Sequence, residues 1–189
     1  MEIAPDYPLE TERLLLRPFT PGDVDAVFAY RQREDVTRFM FDAPMSHAAC
    51  SEALQAHAGM TAWAAEGDKL VLAVERREDG AMMGEAVLIL RSAVSRQAEV
   101  GFAFHPDFYG RGYATEASRQ LLALGFDAAG VHRVYARCHL ENTASRRVME
   151  RLGMRQEAHL RGHNFVKGAW QEEVVYAILE DEWQLQTAR

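Results

Sequence analysis

EVGFAFHPDFYGRGYATE, Glu99 to Glu116, reads as a strand, a turn and the opening of a helix. Val100, Phe102 and Phe104 alternate with Gly101 and Ala103, the period-two pattern of a strand. His105-Pro106-Asp107 ends it, Gly110-Arg111-Gly112-Tyr113-Ala114 follows, and an apolar helical pattern begins at once. Glycines ahead of a helix let backbone N–H groups approach a ligand closely, and the unpaired amides and positive dipole end of the first turn suit an anion. The stretch therefore predicts an anion cradle, with a turn that merely joins two elements as the alternative. Neither common nucleotide motif is present. The turn lacks the lysine of a phosphate-binding loop, and Thr115 stands where a dinucleotide fingerprint needs its third glycine.

Working outward toward the N-terminus, Lys69 to Arg77 and Met82 to Leu90 alternate around Glu78-Asp79-Gly80-Ala81, a hairpin signal, and Gln97 to Phe104 extends them into a meander. Ser46 caps a predicted helix carrying Ala49, Leu54, His57, Met60 and Ala64 and ending near Gly67. Leu14 to Phe19 reads as a short strand, and Thr20-Pro21-Gly22-Asp23 starts a helix through Val24, Val27 and Phe28. Phe39 to Pro44 is apolar and irregular, either a substrate wall or a lid on the core.

Toward the C-terminus, Ala117, Leu121, Leu122 and Leu124 mark a helix that stops at Gly130, and Val131 to Leu140 alternates as a strand. Asn142 caps a helix containing Val148, Met149 and Leu152, with Gly153 at its exit. Arg155 to Asn164 and Glu172 to Leu179 are the last strands. This order predicts one α/β domain over residues 1–189, a mixed sheet flanked by helices without repeat or linker.

The 189 residues carry a net charge of −7, which argues against a nucleic-acid partner and favours an amine-bearing one. No apolar run reaches the roughly 20 residues of a membrane helix, and the start has no secretory pattern. Cys50 and Cys138 are the two cysteines, read as free thiols in a cytoplasmic protein. No His/Cys/Asp grouping has metal spacing. Arginines are concentrated after the cradle, among them Arg133, Arg137, Arg146, Arg147 and Arg151. They suit phosphates or a solvated face equally.

With Thr11-Glu12-Arg13-Leu14, Gly112-Tyr113-Ala114-Thr115-Glu116-Ala117, Asn142-Thr143-Ala144-Ser145 and Leu152-Gly153-Met154, the element order resembles the GNAT superfamily of acyl-CoA N-acyltransferases. Within it the chain looks like the Rim-type branch, which includes enzymes that acetylate the N-terminal amines of ribosomal proteins. Tyr109 stands where the superfamily usually has Gln or Arg, an aromatic replacement common in this branch. The resemblance implies a mostly antiparallel sheet with a splayed central strand pair, acetyl-CoA as co-substrate, an amine acceptor and, in many members, a homodimer.

On that basis the backbone of Tyr109, Gly110, Arg111, Gly112, Tyr113, Ala114 and Thr115 is expected to receive the coenzyme's pyrophosphate. The strand edge at Phe102, Ala103 and Phe104 is expected to pair with the pantetheine arm. Asn142 is a candidate for the arm's amides beside its capping role. A strand amide near Phe102 or Ala103 would polarise the acetyl oxygen. Many superfamily members have a tyrosine seven residues after the asparagine; here that position is Met149, which donates no proton. Ser145 is the Rim-type candidate for hydrogen bonding to the sulfur, or else a hydroxyl satisfying its own helix. Glu99 and Glu85 are candidate bases, each also readable as an ion-paired residue. Phe39, Phe41, Trp63 and Trp170 either line the acceptor pocket or pack. The reading is direct acetyl transfer to a protein N-terminal amine or a small-molecule amine; a non-catalytic acyl-CoA sensor is the alternative.

Overall fold

The computed structural model describes residues 2–188. Eight strands form one sheet: β1 (Leu9–Glu10), β2 (Leu14–Pro18), β3 (Lys69–Arg76), β4 (Met82–Ser92), β5 (Gln97–Phe104), β6 (Arg133–His139), β7 (Arg155–Val166) and β8 (Ala169–Leu179). They lie in the order β1-β2-β3-β4-β5-β6-β8-β7, and every neighbouring pair is antiparallel except β5 and β6. That parallel pair needs a crossover, supplied by α4 (Tyr113–Ala123) and the π turn that continues it to Ala128.

Each face of the sheet has its own apolar layer. On one, Ala117, Leu121 and Leu122 of α4 and Met149 and Leu152, on and just beyond α5 (Thr143–Arg151), pack with Leu88, Val100, Phe104 and Val134. On the other, Val27 and Tyr30 of α1 (Val24–Arg31) and Cys50 and Leu54 of α3 (His47–His57) cover Val71 and Ala73. A fully buried leucine such as Leu121 contributes about 2 kcal/mol. Beneath the layers, β4 and β5 approach so closely that a Cβ on Gly84 would lie 2.3 Å from the Ala103 carbonyl oxygen.

Several elements differ from the sequence reading, beginning with β1, which at two residues is too short to show a period. α3 ends at His57 rather than near Gly67, because the chain turns back so that Trp63 bridges Ile3 and its indole N–H donates to the Leu88 carbonyl. Four residues, Glu34–Thr37, form a helix (α2) within a stretch without periodicity. A last helix, α6 (Glu180–Thr187), follows β8 and buries Trp183 against Phe126.

Candidate active site

β5 and β6 stay paired for three residues only, Gln97–Glu99 against Arg133–Tyr135, and then diverge. Beyond Glu99 the β5 backbone has no strand partner on that side among the described residues. A cavity of about 360 Å³ opens there, floored by Phe102, Ala103 and Phe104. The predicted splay is present, and the strand edge it exposes faces open space.

The cradle stands at the end of the same cavity. Gly110 and Gly112 have φ of +74° and +83°, the left-handed backbone that glycine tolerates and side chains resist. Glu116 N donates to Gly112 O as the first bond of α4; ahead of it, the amides from Gly110 to Thr115 find no acceptor among the described residues. Thr115 Oγ1 is buried and also unpartnered. Such a group is costly unless a ligand satisfies it. Arg147 and Arg151 border the cavity, and among the described residues neither has a carboxylate partner. Unpaired donors, a helix N-terminus and two guanidinium groups without carboxylate partners stand together here, a set of groups able to receive an anion of the size of a pyrophosphate.

The opposite wall is the start of α5. Asn142 Oδ1 accepts from Ser145 N at 3.1 Å, so the capping role is real, and both side chains border the cavity. The Ser145 hydroxyl has no protein partner among the described residues. Met149, 1% exposed, lies in the core rather than in the cavity. The position seven residues after Asn142 is therefore taken up by core packing, and on this wall Ser145 is the residue that brings a hydroxyl to the cavity.

The far wall comes from α2 and the residues after it: Asp35, Val36, Phe39 and Met40. Lys167, at the tip of the β7–β8 hairpin, donates to the carbonyls of Thr37 at 2.6 Å and Met40 at 3.1 Å, fastening this wall. Phe39 stacks on His139, ring centroids 5.2 Å apart. His139 is committed on both nitrogens: Nδ1 accepts from Glu141 N, and Nε2 donates to Gln171 Oε1. His105 Nδ1 accepts from Asp107 N.

Phe102, Ala103, Phe104, Tyr109, Gly110, Gly112, Tyr113, Ala114, Thr115, Asn142 and Ser145 all border one cavity. Arg111 contributes backbone, its carbonyl being held by Arg13. The two carboxylates do not join them. Glu85 is buried in an ion pair with Arg31, and Glu99 is held by Arg91 at 2.7 Å and Arg137 at 3.0 Å. Of the aromatics, Phe39 lines the cavity, Trp63 is core at 2% exposure, and Phe41 and Trp170 are exposed at 59% and 68%. Val36 and Phe108 line the cavity and Lys167 fastens its wall without having been singled out in the sequence; Val36 and Lys167 come there by tertiary contact with no local signal, whereas Phe108 simply precedes Tyr109 in the chain.

Neither cysteine is poised as a nucleophile. Burial pushes the Cys138 thiol up to about 12 and raises that of Cys50. Both stay protonated near neutral pH.

Residues 13–155 match the family model described as an acetyltransferase (GNAT) domain. N-acetyltransferase YnaD of Bacillus subtilis (strain 168), uncharacterized by its own name, is 30% identical over 175 residues, 93% of this chain and 98% of YnaD. The crystal structure of a GNAT-family acetyltransferase from Bacillus anthracis is similar at a TM-score of 0.83 and 30% identity, covering 92% of this chain and 99% of that one. A spermidine N-acetyltransferase from Vibrio cholerae, solved with CoA and spermine, shares the fold at a TM-score of 0.75 and 21% identity, over 92% of this chain and 99% of that one.

Proposed function

The chain belongs to the GNAT acetyltransferases and is an N-acetyltransferase; from that premise we propose that it moves acetyl from acetyl-CoA directly to a weakly basic primary amine, with the coenzyme, the developing oxyanion and the leaving thiolate each met by a group on the cavity wall. The observation that carries this reading is the shared cavity: the β5 edge, the unpaired amides of the cradle and the Ser145 hydroxyl all open into it. The pyrophosphate takes the amides of Gly110 to Thr115 and the Thr115 hydroxyl, with Arg147 and Arg151 beside it. The pantetheine arm lies along Phe102 to Phe104 as a substitute strand, and Asn142 meets its amides.

Chemistry follows at the head of the splay. The amide of Phe102 or Ala103 donates to the thioester oxygen as negative charge develops there. The neutral amine forms the N–C bond, the C–S bond breaks, and the sulfur leaves as a thiolate hydrogen-bonded by Ser145. A thiol with an ordinary pKa near 8.5 departs without full protonation. The nitrogen's proton passes to water. Glu85 and Glu99, held by arginines and away from the cavity lining, supply no base in this scheme. Among the described residues Asp35 is the one carboxylate lining the cavity and it is paired with Arg33; without a free base there, an α-amine with a pKa near 8 presents far more neutral nitrogen at pH 7 than an alkylamine above 10. Protonated cysteines fit transfer without an acyl-enzyme.

The whole chain, residues 1–189, is read as one catalytic unit in the cytoplasm, where Cys50 and Cys138 remain free thiols, and as a homodimer by kinship. Light scattering tests the dimer.

The deciding experiment measures thiol release from acetyl-CoA across an amine panel that includes peptides with free N-termini, spermidine and lysine. Release with peptide α-amines above polyamines supports the acceptor reading, and the reverse order overturns it. Tight CoA binding with no release for any amine would leave only a sensor. CoA at a hundredfold excess over Kd should stabilise the fold by about 2.7 kcal/mol.

A further inference from the structure

Thr11-Glu12-Arg13 lies between β1 and β2, about a hundred residues from the cradle in sequence, yet it closes on the first turn of α4. One carboxylate receives the contact. Thr11 Oγ1 donates to Glu116 Oε1 at 2.6 Å, Arg13 N donates to the same oxygen at 2.9 Å, and Arg13 Nε and Nη2 reach Oε2 at 2.7 and 2.6 Å. The remaining arm of the fork, Nη1, donates to the Arg111 carbonyl at 3.1 Å, and the guanidinium sits 4.7 Å from the centroid of the Tyr113 ring.

Two physical consequences follow. A trans peptide is planar, so its C=O and N–H point in opposite directions. With the Arg111 carbonyl drawn toward Arg13, the Gly112 N–H is turned away from it. Gly112 borders the main cavity and also a shallower depression lined by Arg119 and Arg151. The second consequence is electrostatic. Glu116 is the acid in the first turn of α4 and borders the same depression as Arg13, so an unpaired carboxylate there would repel an anion. Burial alone would raise the Glu116 carboxyl, but the hydrogen bonds from Thr11 and Arg13 hold it below the ordinary range, so it is a full negative charge that Arg13 offsets.

We propose that Arg13 is the positioning residue of the anion cradle: it orients the Arg111–Gly112 peptide and cancels the charge of Glu116, and thereby sets the affinity for the coenzyme's pyrophosphate without taking part in acetyl transfer. The inference rests on the reading of the cradle as the coenzyme site.

The test titrates CoA into the wild-type chain, Arg13→Met and Arg13→Met/Glu116→Gln by calorimetry, and compares acetyl-CoA with acetylpantetheine, which lacks the pyrophosphate, as donor. Arg13→Met should weaken CoA binding about tenfold, the worth of one charge-assisted contact, and the double variant should recover about threefold of that loss because the repelling carboxylate is gone. kcat/KM with acetylpantetheine should not change. An unchanged Kd in Arg13→Met, an equal loss with acetylpantetheine, or no recovery in the double variant overturns the proposal, the second outcome marking a merely structural role. Failure of the wild type to bind CoA would instead bring down the cradle's assignment, and this inference with it. Should Arg13→Met not fold, Arg13→Lys keeps the charge and loses the fork; a CoA-specific loss of about threefold supports the peptide-orienting role, and no loss refutes it.

Discussion

Ser145 is the residue whose chemistry is most exposed to test. Its N–H is used by Asn142 and its hydroxyl is not used by the protein, so the two roles open to it in sequence separate cleanly: the backbone serves the cap and the side chain faces the cavity. Ser145→Ala should leave the cap and the CoA dissociation constant within about twofold and lower kcat about tenfold, the scale of one hydrogen bond made in the transition state. Steady-state kinetics beside CoA titration checks the split; equal loss in both would place the hydroxyl in binding. The placement of Ser145 at a helix start and of the glycines ahead of α4 was legible because each belongs to a short local pattern, whereas the surroundings of Glu85 and Glu99 were hidden. Whether a carboxylate is free or tied depends on its cation, and Arg31, Arg91 and Arg137 come from other elements.

At the scale of elements, the β7–β8 hairpin reaches across to the wall after α2 through one side chain. Lys167 takes a left-handed backbone, φ 52°, at the turn and spends its ammonium on the Thr37 and Met40 carbonyls. Lys167→Met should free the wall that carries Phe39 and Met40, raising KM for the amine several-fold while CoA affinity holds. An unchanged amine KM would mean the wall is held by its own packing. The order of elements along the chain and most helix starts were readable from period and caps. α3 was over-extended because Met60 and Ala64 keep the apolar rhythm, whereas the chain is claimed by a contact with Ile3 near the N-terminus. α6 was missed because Glu180-Asp181-Glu182-Trp183 presents one buried apolar residue and no stripe.

For the whole molecule, stability toward acid is set by depressed carboxylates. Burial pushes Asp23 up, but Arg17 and Thr20 outweigh it and hold it below the ordinary carboxylate range. A folded value below the unfolded one means the contribution is complete above the unfolded pKa, about 3.9, and is lost as pH falls through the folded value. Asp23→Asn should cost about 2 kcal/mol at pH 7, since Arg17 loses a charge-assisted fork but keeps Glu75, and should flatten the loss of stability below pH 4. Urea unfolding from pH 2 to 7 checks both; an acid limb parallel to wild type would remove Asp23 from the account.

The divergence of β5 and β6 also bears on how the chain avoids its own kind. Wherever two strands part inside a sheet, each presents a row of unpaired backbone groups of the sort that templates association between molecules. Here those rows are internal, walled by α2, α4 and α5, and a bound pantetheine arm would occupy one of them. The helices that shape the cavity therefore also screen the open strand edge from a second molecule, so one wall serves both the site and solubility.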